Sequence, residues 1–408
     1  MKLDRIIGIL VVLVSVSSVL AWCKIPIGNT ALWWAIDSVI LLFFYKMWDR
    51  KQFNISVINC FLILVLCSAV YGLLLRAELY WDYKLLYNNL MVFMLPLAAY
   101  AFMKPSLLTT TMRSYLSISP WLLLLLSPFI ASDAYGRFLV PYSFMALFFK
   151  GLSVRNKILV FGAFCVTLLW GSESRSDVLK FCLCILLAVS FYYKKVETVL
   201  FRSIKFARVA FLILPFVFFT LAATDTFNIF NIDEELGIDG KYSMKSGNGN
   251  EDISALTDTR TFLYVEEITS AIRNNYVIYG NSIARGYESA FFGSTIDLDL
   301  KTNRGERQSC EVSILNIFNY FGLVGCAIYY LIFSMASYSA IYKSKNRYVP
   351  IIGLYVAFRW TFGWIEDFSK FDLNYLFLWI MIGICFSPIF RNMTDSDFKL
   401  WVNRLNRR

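Results

Sequence analysis

A succession of apolar runs, each near the length needed to cross a lipid bilayer, constrains this chain more than any other feature. About 20 apolar residues in a helix span a hydrocarbon core of about 30 Å. Such runs lie near residues 6–22, 30–48, 55–75, 85–103, 115–131, 138–150, 158–171, 177–193, 208–224, 312–341, 349–364 and 373–390. The expected fold is therefore an all-α integral membrane protein with about 12 transmembrane helices. The composition agrees. The 408 residues are 58% hydrophobic and 17% charged, with mean hydropathy +0.57, more apolar surface than a soluble domain of this length can cover. Two runs are irregular. The run at 138–150 is short and carries Pro141, which predicts a bent or partial span. The run at 312–341 is too long for one span, so its first part is expected outside the bilayer or tilted into a cavity. The first run begins MKLDR and lacks a small-residue cleavage site, so it reads as an uncleaved first helix.

Cationic residues favour the cytoplasmic side of short membrane loops. With the N-terminus inside and the runs alternating, 23 of the 39 Lys and Arg residues fall on inner segments, and eight on short outer loops or helix ends. Both termini are thus expected in the cytoplasm. The net charge of +10 is then the basic edge of a membrane protein, with no nucleic-acid partner. Residues 1–224 would carry nine membrane helices, 225–310 one large outer loop, 311–391 three more helices, and 392–408 a basic cytoplasmic tail. The loop is partly helical. Residues 233–257 are rich in Asp, Glu, Gly, Asn and Ser and read as a surface loop. Residues 258–274 read as a helix capped by Asp258, with Phe262, Val265, Ile268 and Ile272 on one apolar face and Arg260, Tyr264, Glu267 and Ala271 on another. Gly280 and Gly286 mark turns after it.

The chain has no histidine, so any acid–base chemistry runs on other groups. Seven of the nine cysteines lie in apolar runs as packing residues, and a disulfide between Cys23 and Cys310 stays open. Charges at the outer face need a reason, because charge near a bilayer is costly. Four places stand out. GSESRSD at 171–177 puts Arg175 between Glu173 and Asp177, as an anion grip or a polar turn. Arg260 on the loop helix has no close acidic partner at helical spacing, yet also suits a solvated face. YGNSIARGYES at 279–289 sets Arg285 between turn glycines. Glu311, in ERQSCEV, and Arg359, Glu366 and Asp367, in RWTFGWIEDF, complete the set. Each carboxylate suits a general base or a salt-bridge partner. No motif for zinc, magnesium or nucleotide binding is visible, and neither internal repeats nor midplane charges of the transporter kind are found.

Three segments, in order, resemble the O-antigen polymerase and O-antigen ligase superfamily of bacterial envelope glycosyltransferases. LLWGSESRSDVLKF is similar to its Ser-Arg segment opening a span, TRTFLYVEEITSAIRNNYVIYGNSIARG to its loop helix and Gly-rich turn, and CEVSILNIFNYFGLVG to its re-entry helix with Gly-Leu-x-Gly. The match covers about 165–340. The resemblance implies a bacterial inner-membrane enzyme that transfers glycan from undecaprenyl pyrophosphate without metal or other cofactor. It implies that Arg175, Arg260 and Arg285 hold the pyrophosphate, with Arg359 a further candidate at the same face. The family often has a His eleven residues before the first of those glycines. Counting back from Gly322 gives Glu311, a departure that leaves the base open among Glu311, Glu366 and Asp367 and favours polymerase over ligase. The implied partners are the lipid-linked oligosaccharide, membrane lipid and a chain-length regulator protein.

Overall fold

Proline and glycine positions, more than hydropathy, decide how the apolar runs become helices. The structure, a computed structural model, describes residues 2–20, 23–24, 28–131, 134–170, 174–224, 226 and 259–406. The helices are α1 Lys2–Ser17, α2 Thr30–Met47, α3 Ser56–Tyr71 (continued by a π-helical turn, Gly72–Arg76), α4 Tyr80–Phe93, α5 Leu97–Ala101 and α6 Pro105–Leu126. Next come α7 Tyr135–Phe138, α8 Val140–Ala146, α9 Val154–Leu169, α10 Arg175–Val189, α11 Lys194–Ala223, α12 Thr259–Arg273 and α13 Gly293–Leu300. The last are α14 Ser313–Tyr342, α15 Tyr348–Phe362, α16 Leu373–Phe386, α17 Pro388–Asn392 and α18 Asp395–Leu405. Two short strands, β1 Tyr287–Glu288 and β2 Glu306–Arg307, pair antiparallel.

The chain is a multi-pass helical membrane protein, but the expected count of twelve long spans is not met. Among the described residues, four helical stretches are long and apolar enough to cross a bilayer alone: Thr30–Met47, Ser56–Arg76, Lys194–Ala223 and Ser313–Tyr342. A fifth arises if Tyr80–Ala101 and Pro105–Leu126, bent by 116°, count as one broken span. The shortfall has a physical cause. Pro96 and Pro105 interrupt the backbone between α4 and α6. Pro141 starts a new short helix, the bend expected at 138–150. Helices α1, α9, α10, α15 and α16 have only 14 to 16 residues, about 21–24 Å of rise.

Side-chain contacts sort the helix ends into two sets. At one end Lys104 pairs with Asp49 (3.8 Å), Asn156 donates to Asn406 (3.1 Å) and Arg347 pairs with Asp395 (2.7 Å). The amphipathic α18 covers this end with Phe398, Trp401, Val402 and Leu405 buried. At the other end Arg137 meets Asp372 (3.8 Å), Arg304 meets Asp82 (2.9 Å) and Tyr264 donates to the carbonyl of Trp364 (2.8 Å).

The core lies among α14, α15 and α16, and every residue of α16 is buried. The overlong run at 312–341 is one 30-residue helix kinked at Gly322, whose φ is +63°. The kink frees backbone groups that the segment after α12 uses: Leu323 N–H donates to the Val277 carbonyl (2.9 Å), and Val324 N–H to that of Ile278 (3.2 Å). A Cβ on Gly322 would collide with the Ile278 carbonyl, so this close approach needs glycine.

Within the expected outer loop, α12 falls where the 258–274 helix was predicted. Asp258 and the 233–257 segment lie outside the described residues. The faces of α12 are the reverse of the simplest expectation. Leu263, Glu267 and Ala271 are buried against the protein, whereas Phe262, Val265 and Ile272 are exposed. Of the stripe, Ile268 alone is half-buried, packed against Ala271, Tyr276 and Phe318. Cys23 and Cys310 are free thiols, so the open disulfide does not form.

Candidate active site

Two of the four sequence motifs converge at the start of α10. A lysine inside an apolar helix must find counter-charge, and Lys180, 4% exposed, finds two. Its Nζ lies 2.7 Å from Asp177 one turn earlier and 3.1 Å from Glu366, which follows α15. Ser176 Oγ donates to Glu366 Oε1 (2.6 Å), and Ser174 Oγ donates to Asp177 Oδ2 (3.0 Å). GSESRSD and RWTFGWIEDF thus form one polar cluster. The Asp372–Arg137 pair borders it, and Asp372 also caps α16 by accepting from Tyr375 N–H (2.8 Å). Arg175 stands exposed beside Ser176, with no hydrogen bond or ion pair to any described residue.

A chain step from this cluster, through Ile365, lies an apolar groove of about 400 Å³. Its walls are Pro215 and Phe219 of α11, Tyr264, Val265 and Ile268 of α12, and Trp364 after α15. Of the apolar stripe of α12, Val265 and Ile268 line the groove, whereas Phe262 packs edge-on against Phe291. Val265 is 59% exposed. Ile365 also lines it and is the chain neighbour of Glu366. Arg260, half-buried, precedes Thr261, another lining residue. The apolar slot is thus joined by single chain steps to Arg260, through Thr261, and to the carboxylate held by Lys180, through Ile365.

The remaining candidates are placed elsewhere. Arg359 is 1% exposed, donates to Asn374 Oδ1 (2.7 Å) and lies 4.5 Å from the Phe368 ring centroid, so it braces α15 against α16 and does not reach the groove. Arg285 is ion-paired with Glu306, donates to the Arg76 carbonyl (3.2 Å), and is held protonated beyond the usual guanidinium range by that carboxylate. Asp367 is buried; its Oδ1 accepts from Ser369 N–H (2.9 Å), and its Oδ2 is 3.7 Å from Lys370. Glu311 is exposed, 67% by side chain, and pairs with Arg307 (3.0 Å). Glu173 lies outside the described residues. Among the described residues no group of acidic or cysteine side chains is arranged to hold a metal ion.

Reasoning from sequence missed two groups. From the sequence, Lys180 is one of the eight cations on short outer loops or helix ends. Its i,i+3 spacing from Asp177 within an apolar run was the available signal. Glu267 was read on the polar face of α12 without a role. It is fully buried, both carboxylate oxygens lack a hydrogen-bond partner among the described residues, and burial pushes its pKa far above the carboxylate range. Hydrophobic periodicity gives no sign of that, because Glu267 lies on the face opposite the apolar residues. No known protein family, curated protein or solved structure matches the chain.

Proposed function

We propose that this protein is a glycosyltransferase of the O-antigen polymerase type, which joins undecaprenyl-pyrophosphate-linked oligosaccharide repeat units at the outer face of a bacterial inner membrane. One observation carries the reading: Ile365 lines an apolar groove of α11, α12 and Trp364, and its chain neighbour Glu366 belongs to the Ser176–Lys180–Glu366 cluster. That juxtaposition suits a substrate with a long apolar tail and a charged reacting head. The exposed face of α11, with Ile213, Phe216 and Val217, gives a prenyl chain a route from the bilayer into the groove.

The chemistry follows from the substrate class. The bond between the sugar anomeric carbon and the pyrophosphate oxygen breaks, and the electron pair leaves with the pyrophosphate. A hydroxyl oxygen of the second sugar bonds to that carbon, and its proton passes to a carboxylate. The donor is already activated, so the transfer needs no nucleotide. Arg175 and Arg260 stabilise the leaving pyrophosphate, as guanidinium groups placed at developing negative charge do. Glu366 is assigned as proton acceptor because it directly follows the groove residue Ile365, whereas Asp367 is buried and accepts from Ser313 and Ser369, and Glu311 is paired at the surface. In this reading the shorter helices complete twelve crossings, both termini are cytoplasmic, and 225–310 is the outer loop. A chain-length regulator is a fitting partner for such an enzyme.

The test is the surface glycan profile of a strain lacking the gene. Restoring the wild-type gene should restore a ladder of chain lengths, and the null and Arg260→Ala strains should show single repeat units. Full-length chains that are present but unattached in the null would indicate a ligase instead. An unchanged profile would reject both.

A further inference from the structure

A cavity larger than the groove lies away from it, at the far end of the loop helix. It has a volume of about 720 Å³ and opens between the outer end of α3 and the segment 274–281. We propose that this cleft is a saccharide-binding site; the proposal rests on the polymerase reading only for the source of the sugar.

The chemistry of its rim differs from that of the groove. Sugars present hydroxyls, which suit planar amide and guanidinium groups, and C–H faces, which suit exposed aromatic rings. The cleft offers both. Asn275 is exposed and makes no side-chain hydrogen bond with the described residues, and Asn274 commits only its Nδ2, to the Ser270 carbonyl (3.1 Å). Tyr279 is 74% exposed, and Tyr71 faces it from α3 across the same cavity. Arg76 is the cation of the rim that lacks a carboxylate among the described residues. Its Nη2 donates to Asn281, and its Nε is buried without a partner. Its neighbours are neutralised, Arg285 by Glu306 and Arg304 by Glu78 and Asp82. The groove beside Trp364 has no side-chain amide in its lining, so a bare lipid chain suits that slot and a glycan suits this one.

The cleft is also preorganised. Residues 277–281 are hydrogen-bonded into the kink of α14, and Asn281 N–H donates to the Asn319 carbonyl (2.6 Å). The same α14 begins at Ser313, whose Oγ accepts from Phe368 N–H (2.8 Å) directly after the Glu366–Asp367 pair. Thr261 in the groove and Asn274 at the cleft belong to one continuous stretch of chain built on α12. They are separated by about 20 Å along the helix axis, a span that an oligosaccharide of a few rings can bridge.

Cys67 lies in the cleft wall, is a free thiol and is exposed, whereas Cys60, two turns earlier on α3, is exposed outside the cleft. The full chain in lipid nanodiscs would be alkylated with a maleimide, and both thiols followed by peptide mass spectrometry. One probe is the soluble oligosaccharide of one to three repeat units, released by mild acid from the bacterium's surface polysaccharide. A second is the same repeat unit on its polyprenyl pyrophosphate, and a third is polyprenyl phosphate without sugar. Either sugar-bearing probe should slow Cys67 at least fivefold and leave Cys60 unchanged. Protection by the lipid-linked form alone would identify a sugar presented from the bilayer. Tyr279→Ala and Asn275→Gly should abolish the protection with an unchanged melting midpoint, since glycine keeps the left-handed backbone of Asn275 (φ +58°). No protection by either sugar, equal protection by the sugar-free lipid, or protection that survives both substitutions would overturn the proposal. Protection together with an unchanged glycan profile in the null strain would keep the cleft and remove the polymerase reading.

Discussion

Replacing Lys180 with Met should destabilise the protein strongly, and removing Asp177 as well should relieve most of that loss. Lys180 Nζ sits 2.7 Å from Asp177 and 3.1 Å from Glu366, and the side chains of Lys180 and Asp177 are 5% and 4% exposed. Methionine keeps the length and packing of the lysine stem but leaves two carboxylates close together with their shared cation gone. Breaking a buried ion pair from one side costs about 3–5 kcal/mol, because the abandoned charge stays buried. Asp177→Asn in the Lys180→Met background removes one of the abandoned charges, and Glu366 keeps its bond from Ser176. The double variant should therefore recover about 2–3 kcal/mol relative to Lys180→Met, the upper range for coupled neighbours. Reversible unfolding in mixed detergent micelles, with increasing fraction of sodium dodecyl sulfate, measures all four corners of the cycle. A cost under about 1 kcal/mol for Lys180→Met, or strictly additive effects, would refute the triad as a buried electrostatic unit.

Four further outcomes are expected. Glu267 binds its proton more tightly in the folded than in the unfolded chain, because burial raises its pKa. Stability should then be greatest below about pH 4.5 and fall by about 1.4 kcal/mol per unit as pH rises toward the folded value. Glu267→Gln should remove that slope in melting curves taken across pH 5–9, with Arg307, Cys310, Tyr264 and Tyr287 nearby left unchanged. Gly322→Ala should cost more than about 2 kcal/mol, since it adds left-handed backbone strain to a collision with the Ile278 carbonyl; an unchanged melt would count against the kink. Val265→Arg, at an exposed position of α12 in the groove, should leave folding intact and abolish polymer in the complemented null strain. Glu366→Gln should lower polymer formation about 10²-fold or more, in the range of general-base loss, while Glu311→Gln should leave it within a few-fold; the reverse order in radiolabelled chain growth would reassign the base.

Hydropathy located the helices well, because a bilayer-facing helix and a buried one both need apolar residues. It overcounted long spans for the same reason. Runs such as 349–364 and 373–390 became helices of 15 and 14 residues packed in the centre of the bundle, and composition does not separate a central helix from a lipid-facing one. The bend at Pro141 was readable, since proline breaks a helix; the run at 312–341 was readable as too long for one simple span, but its kink at Gly322 was not. The loop helix was placed to within a residue at each end, but its orientation was not. Val265 and Ile268 of its apolar face line the groove, and Glu267 is buried on the other side. Which arginine reaches the site depends on long-range pairing. Arg285 is occupied by Glu306, 21 residues on, and Arg359 is enclosed by α16, and neither contact has a local signature. The convergence of Arg175's segment with Glu366 was partly legible, because both motifs were expected at the same membrane face.

The most direct test of the central claim is to supply the purified chain, in lipid nanodiscs, with the polyprenyl-pyrophosphate-linked repeat unit as the sole substrate. The account predicts a ladder of lipid-linked glycans, with one polyprenyl pyrophosphate released for each linkage made, and loss of that ladder in Glu366→Gln. Recovery of the repeat unit unchanged, with no pyrophosphate lipid released although the substrate binds, would contradict it.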